Sequence, residues 1–302
     1  MFLPTLKQLR YLTALDEHKH FGRAATACFV SQSTLSAGLQ ELETLLGASL
    51  VERSNRSVVF TALGREIAAR ARIVLREAQE LAELAAAAKE PLSGALRLGV
   101  IPTIGPFLLP KVLPKLRKAY PKLKLYLTED LTQRLVDDLH AGALDCVLLA
   151  LPVDIGEAEQ LILFDDPFEL VCRKDDPLAE KTRLSTNDIQ QAPLLLLTDG
   201  HCLRDHALDA CHLGRRPQGT DVAATSLHTL VEMAAGGLGV TLIPDMALQA
   251  KLLKGSELVA RPFTGGKPGR RIGLIWRKTS AREKEFRLLG HAVKDAYLAA
   301  TK

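Results

Sequence analysis

Residues 31–53 read SQSTLSAGLQELETLLGASLVER, and this stretch decides the fold of the front of the chain. Ser31 is a natural helix N-cap, because its hydroxyl can accept from a backbone N–H one turn further on. From Gln32 to Leu46 the apolar residues Leu35, Leu39, Leu42, Leu45 and Leu46 recur at helical spacing, and Gly47 ends the run. Gln32, Ser33, Thr34, Ser36 and Gln40 fall off that stripe, so the start of the helix carries small polar groups. Upstream, Thr5 can cap a helix with Leu6, Leu9, Leu12 and Leu15 on one buried face. After Phe21-Gly22 a short helix is expected over Arg23–Phe29, where Ala24, Ala25 and Ala27 allow close packing.

Two short helices joined by a tight turn, the second polar at its start, make a helix-turn-helix with a recognition helix. Gln, Ser and Thr can read base edges in the major groove, and a helix N-terminus can take a phosphate. Downstream, Glu52-Arg53-Ser54-Asn55-Arg56 and then Ser57-Val58-Val59-Phe60 reads as a turn between strands. That is a wing, with Arg53 and Arg56 placed for the DNA backbone or minor groove. The plainer alternative is a small helical packing module. Charge does not choose between them: the chain is +4 overall, and residues 1–60 hold six basic against five acidic side chains. The case for DNA rests on pattern.

The second informative stretch is residues 194–212, LLLLTDGHCLRDHALDACH. An apolar run ends in Thr198-Asp199-Gly200, and a helical pattern starts at Cys202. Unpaired N–H groups and the positive end of the helix dipole favour an anion there. With His201 beside it and Arg204 two residues on, Cys202 meets the conditions under which a thiol ionises below its free value of about 8.5. Its candidate mate is Cys211. If residues 202–211 form one helix, the two lie roughly 13 Å apart along the axis, after a rotation of about 900° that puts them on opposite faces. A disulfide needs Cα atoms within about 7 Å. The pair can close only if the helix comes apart, so reduced and oxidised states would differ in shape. On spacing alone, two ordinary buried cysteines remain an equal alternative.

The 302 residues suffice for two or three domains with their own cores, and a mean hydropathy of +0.07 describes a soluble globular chain. The N-terminus lacks a basic segment followed by an apolar run, and no stretch approaches a membrane span. Five cysteines without scaffold spacing fit a reducing, cytoplasmic compartment, and no Cys/His spacing forms a metal site. Cys28, Cys146 and Cys172 sit in apolar segments and read as core. From Thr61 to Lys89, Ile67, Ala71, Val74, Ala78, Leu81, Ala85 and Ala88 alternate steps of four and three. This heptad pattern predicts a helix that pairs two chains and so presents two recognition helices to a two-fold symmetric DNA site. Residues 89–94, KEPLSG, break it. Beyond lie strand-like runs at 96–101, 123–127, 146–150, 168–172, 194–197, 240–243 and 272–276 with helical patterns between. This predicts an α/β region with parallel sheets, whose ligands gather at strand ends such as 101–103, 130–132 and 198–202.

Residues 5–64, above all SQSTLSAGLQELETLLGASLVER and the trailing FTALGRE, resemble the winged helix-turn-helix of LysR-type transcriptional regulators. Val51 departs from the phenylalanine usual there, at a position that reads as core. The resemblance implies a winged helix-turn-helix over 1–60, a linker and dimerisation helix over 61–90, and a regulatory domain over 91–302. That domain would fold as two subdomains like periplasmic binding proteins, one from 94–164 and 268–302, the other from 165–267. TDGHCLRD, IPTIGPFLLPKVLP, LDCVLLALP and MAAGGLGVTLIP extend the likeness to the peroxide-sensing members of the family. By that likeness Cys202 is the peroxide-reactive cysteine and Cys211 its resolving partner, and His201 and Arg204 support the thiolate. Thr103 and Thr132 would hydrogen-bond the peroxide, helix capping being their structural alternative. Of the pair Arg270-Arg271, Arg271 is assigned to the pocket, although sequence does not fix which points inward. The resemblance further implies a homotetramer acting as an activator, no cofactor beyond the peroxide signal, contact with RNA polymerase, and reset by cellular dithiols. Two rivals are a LysR-type regulator answering to a small organic inducer, and a thiol peroxidase with turnover.

Overall fold

A computed structural model describes residues 3–53, 58–87, 90–211, 224–264 and 268–299, without the side chains of residues 53, 80 and 82–87. Arg56, the side chains of Arg53 and Ala85, and residues 88 and 89 therefore lie outside the described set. The chain divides into two compact units, residues 1–89 with 141–143, and the remainder.

In the first unit, helix α1 (Leu6–His18) starts on a capping box. Thr5 Oγ1 accepts from Gln8 N at 3.2 Å, and Gln8 Oε1 accepts from Thr5 N at 3.0 Å, so two otherwise unpaired N–H groups are satisfied. Leu9, Tyr11, Leu12 and Leu15 are buried, whereas Leu6 is half exposed and lies off the stripe. Helix α2 (Phe21–Ala27) begins two residues earlier than its alanines suggest, because the His20 ring caps it by accepting from Arg23 N at 3.3 Å. It ends in a turn where Phe29 adopts φ 58°. Helix α3 (Gln32–Leu46) runs from the Ser31 cap, which accepts from Thr34 N at 3.1 Å, to Gly47 at φ 64°. Leu35, Leu39 and Leu42 enter the core, while Leu46 is exposed and Leu45 half-buried.

Strands β1 (Val51–Arg53) and β2 (Val58–Phe60) pair antiparallel, Val51 opposite Phe60. Glu43 Oε1 fixes the entry to β1 by accepting from Leu50 N and Val51 N at 2.7 and 3.2 Å. Helix α4 (Ala62–Ala87) follows directly. A Cβ on Gly64 would stand 2.0 Å from the Leu50 carbonyl oxygen, so the close approach of α4 to the sheet requires glycine. Ala68 and Ala71 are buried and Ile67 packs on the same core, so the first turns of the heptad seam serve their own chain. Further along, Val74 and Leu81 are left exposed.

The second unit is α/β. Its elements are β3 (Gly94–Val100), α5 (Gly105–Ala119), β4 (Leu123–Glu129), α6 (Thr132–His140), β5 (Cys146–Leu151), β6 (Ala158–Arg173), β7 (Leu194–Leu195), α7 (Cys202–Ala210), α8 (Leu227–Ala235), β8 (Val240–Pro244), α9 (Asp245–Gln249), β9 (Leu258–Arg261), β10 (Gly269–Arg277) and α10 (Glu283–Leu298). Strand order is β4-β3-β5-β10-β6-β8-β7, with β9 also on β6. The expectation of purely parallel sheets is corrected here. β3 pairs parallel with β4 and β5, and β7 with β8, but β10 runs antiparallel to β5 and β6, and β6 antiparallel to β8 and β9. The reason is β6, a 16-residue strand whose first half pairs with β10 and whose second half pairs with β8 and β9. It serves two halves of the unit, and β10 returns beside it. No described helix is long and apolar enough to cross a membrane.

Candidate functional site

Three chain segments that follow strands meet in one place. Ile101, Pro102 and Thr103 follow β3, Leu131 and Thr132 follow β4, and Gly200, His201 and Cys202 close the loop into α7. They line a tight crevice without free room for a water-sized sphere. Gly200, at φ 93°, makes the turn that brings His201 to the N-cap of α7 and Cys202 to its first residue. His201 and Cys202 are each only 8% exposed.

The electrostatic account of Cys202 differs from the one its helix position suggests. Burial comes first and pushes the thiol up, while the Thr132 hydroxyl, the Arg270 charge and the Ala150 backbone pull the other way and Asp205 opposes them. Arg204 does not contribute as expected: its Nε lies 3.2 Å from Asp199 Oδ1 and its Nη1 donates to the Leu197 carbonyl at 3.4 Å. Its neighbour Asp199 was available because the turn before α7 exposes it. Burial also pushes the His201 ring down, so the N-cap imidazole is held toward its neutral form.

Arg270, not Arg271, is the arginine of this site. Arg271 is exposed, whereas Arg270 is 2% exposed and forked between Thr103 of the pocket lining and Asp166. Its Nη1 donates to Thr103 Oγ1 at 2.7 Å, its Nη2 to the Thr103 carbonyl at 2.9 Å, and its Nε to Asp166 Oδ2 at 3.0 Å. Asp166, wholly buried on β6, also accepts from Met246 N at 3.0 Å at the start of α9. Successive residues on a strand face opposite ways, so only one of the pair could point in. Because residues 272–277 are all buried, no polar alternation shows from sequence which one it is.

Neither threonine caps a helix. The N-cap of α5 is Ile104, without a side-chain bond, and Thr132 is already the first residue of α6. Thr103 Oγ1 accepts from Arg270, which leaves its own proton free to be donated. Thr132 Oγ1 is buried with no hydrogen-bonding oxygen or nitrogen among the described residues. Cys211, the C-cap of α7, is fully buried at the other end of the helix, and burial pushes its thiol up to about 11. All five cysteines are free thiols. An intact α7 therefore lies between Cys202 and Cys211.

On the recognition helix, Ser31, Gln32, Ser33, Thr34 and Gln40 are exposed and Ser36 is half-buried, leaving a polar face opposite Leu35, Leu39 and Leu42. Sequence reading missed Asp166 as the partner of Arg270. It also missed His206, which is 6% exposed and lies one turn of α7 beyond Cys202.

A winged helix-turn-helix joined by a long helix to an α/β unit with a pocket between strand ends is the build of a bacterial one-component regulator. The model of the LysR-family bacterial regulatory helix-turn-helix matches residues 6–65, that of the LysR substrate binding domain matches residues 89–297, and the chain belongs to the LysR family of transcriptional regulators. It is 43% identical over 284 residues to the HTH-type transcriptional regulator EstR of Acinetobacter baylyi, covering 94% of each chain. To the DNA-binding transcriptional dual regulator OxyR of Escherichia coli K12 it is 42% identical over 289 residues, covering 96% of this chain and 94% of that one. Full-length OxyR from Pseudomonas aeruginosa, carrying a cysteine-to-aspartate substitution, superposes with a TM-score of 0.81 at 37% identity, covering 97% of this chain and 96% of that one. A hydrogen-peroxide-bound cysteine-to-serine mutant of Corynebacterium glutamicum OxyR gives 0.69 at 35% identity, covering 99% and 94%.

Proposed function

We propose that this regulator senses hydrogen peroxide through Cys202 and answers by joining Cys202 to Cys211. The observation that carries the reading is the size and lining of the pocket. A thiol and two hydroxyls line a crevice with no free room for an organic ligand, whose sites run to roughly 300–1,000 Å³. Peroxide enters between Cys202, Thr103 and Thr132. The sulfur attacks the proximal oxygen as its proton leaves, the O–O bond breaks, and the distal oxygen departs as water, helped by a proton donated through the Thr103 hydroxyl. Cys202 is thereby oxidised to sulfenic acid and peroxide reduced. Cys211 then attacks that sulfur, forming the disulfide and releasing a second water. Closing the bond unwinds α7, and a dithiol reductant returns both sulfurs to thiols.

Residues 1–60 hold DNA through Ser31, Gln32, Ser33, Thr34, Ser36 and Gln40, with Arg53 and Arg56 on the wing. Residues 61–90 pair two chains, with exposed Val74 and Leu81 as part of the seam. Residues 91–302 form the sensor, as subdomains 94–164 with 268–302, and 165–267. Oxidation changes the geometry of a homotetramer on a two-fold site and its contact with RNA polymerase, in the cytoplasm, activating antioxidant genes. The chain is a stoichiometric switch rather than an enzyme.

Mass spectrometry of cysteine oxidation after micromolar peroxide, run beside DNA footprinting, tests this. A Cys202–Cys211 disulfide accompanied by a changed footprint is expected, with both lost in Cys202→Ser and a trapped sulfenic acid in Cys211→Ser. A footprint that responds to peroxide equally in Cys202→Ser overturns the reading.

A further inference from the structure

Besides carrying Cys202, α7 is tied to the chain segment that leaves β5. One turn along the same helix face, His206 Nε2 lies 2.8 Å from the carbonyl oxygen of Pro152, the residue after β5. A carbonyl only accepts, so Nε2 carries the proton and Nδ1 holds the lone pair. That Nδ1 is buried and has no partner among the described residues. The Pro152 carbonyl thus anchors the second turn of α7 on the chain segment that leaves β5.

We infer that His206 is a positioning residue, the latch of the reduced state, whose bond to Pro152 must break before Cys202 and Cys211 can join. The inference rests on the reading that the disulfide requires α7 to unwind. It adds a consequence that the cysteines alone do not carry, which is proton uptake on opening. In the closed helix burial holds the ring toward its neutral form, helped by Arg270 on β10, while the Pro152 carbonyl, Asp205 and Asp209 favour the charged one. Once α7 unwinds, the ring meets water and titrates near the ordinary value of about 6.5. The sign follows. A ring whose value is depressed only in the closed state binds its proton preferentially in the open state, so falling pH through that range favours the disulfide.

The test is thiol–disulfide equilibration of the full-length protein with glutathione, read as Cys202–Cys211 disulfide by mass spectrometry. The exchange is dithiol plus oxidised glutathione giving disulfide plus two reduced glutathiones. Below about pH 8 the thiol protons balance across it, because every thiol involved is protonated. His206→Leu removes both the bond and the titration, whereas His206→Gln keeps an N–H donor without titrating. At about pH 7.5, His206→Leu is expected to shift the equilibrium toward disulfide by about 5- to 10-fold, the factor that one net hydrogen bond represents. His206→Gln stays near the parent there. Between about pH 7.5 and 5.5 the parent moves toward disulfide by up to roughly tenfold, as one extra proton is bound, and His206→Gln loses that share of the movement. In a Cys211→Ser background, the rate of sulfenic acid formation at Cys202 is unchanged in His206→Gln. An unshifted equilibrium in His206→Leu, or an intact pH response in His206→Gln, overturns the latch while the peroxide switch stands. A parent protein whose two cysteines never join overturns the switch, and the latch with it.

Discussion

Replacing Arg270 by methionine tests whether the buried pair behind Thr103 also braces the fold. Arg270 and Asp166 side chains are both fully buried, with Nε and Nη2 each 3.0 Å from Asp166 Oδ2. Methionine fills similar volume but leaves the carboxylate with the Met246 N–H alone and removes both donors to Thr103. Removing one partner of a buried pair costs about 3–5 kcal/mol, because the remaining charge is stranded. Asp166→Asn keeps an acceptor for the guanidinium and should cost about 1–3 kcal/mol. The double variant strands no charge, so it is expected to recover about 2 kcal/mol relative to Arg270→Met alone. Trp276, the single tryptophan, is buried on the same strand β10, so its fluorescence in urea reports this unit within the whole chain. Burial already pushes the Asp166 carboxyl up and Arg270 pulls it back. Without the arginine the rise is larger, so the loss of stability is present at neutral pH and shrinks as pH falls toward the raised value. A single variant within about 1 kcal/mol of the parent, or a double variant whose losses simply add, refutes the brace.

Other expectations are narrower. Gly64→Ala puts a carbon against the Leu50 carbonyl and should abolish DNA binding by displacing α4 from the sheet, with the Trp276 transition unmoved. Ser31→Ala removes the cap of α3 and should cost about 1 kcal/mol in the first unit, together with a weaker operator affinity in a gel-shift titration. Burial alone would raise the Asp16 carboxyl, but Lys19 and Arg72 together hold it below the usual carboxylate value. Its contribution is therefore present above about pH 4 and lost as pH falls through the depressed value. In Arg72→Ala that loss should begin at higher pH, as faster hydrogen exchange in α1; since Arg72 is 41% exposed, the effect at neutral pH should be slight.

Local chemistry explains what could be read from sequence. Ser31, Gly47 and the leucines between them fix α3 because cap, stripe and stop all depend on neighbours within one turn. Thr5 and Gln8 fix the start of α1 for the same reason. Cys202 at the head of α7, with Cys211 at its foot, followed from the Asp-Gly break and helical spacing. What depended on partners far along the chain was not readable. β10 lies between two antiparallel neighbours and is buried on both faces, so the inward turn of Arg270 and its choice of Asp166, 104 residues away, left no local pattern. His20 capping α2 was missed because histidine is not a usual cap. The exposed Asp199 that occupies Arg204 gave no sign in the sequence that it would compete with the thiol.

That competition changes how Cys202 must react. A thiol at a helix N-terminus is expected to ionise more readily than a free one, but here burial outweighs Thr132, Arg270 and the Ala150 backbone, and the thiol is pushed up. At neutral pH most molecules then carry a protonated sulfur, and the few thiolates are strong nucleophiles, since nucleophilicity rises with pKa. On the proposed reading, selectivity would come from a crevice too tight for an organic ligand and from the Thr103 and Thr132 hydroxyls that line it, rather than from a standing pool of thiolate. The kinetic signature is a rate of sulfenic acid formation in Cys211→Ser that climbs about tenfold per pH unit from about pH 6 to beyond 8.5, following the thiolate fraction. Stopped-flow trapping at fixed peroxide measures it. A rate that levels off near or below neutral pH means that the thiol is ionised at rest, and then the dipole and Arg270 outweigh burial after all.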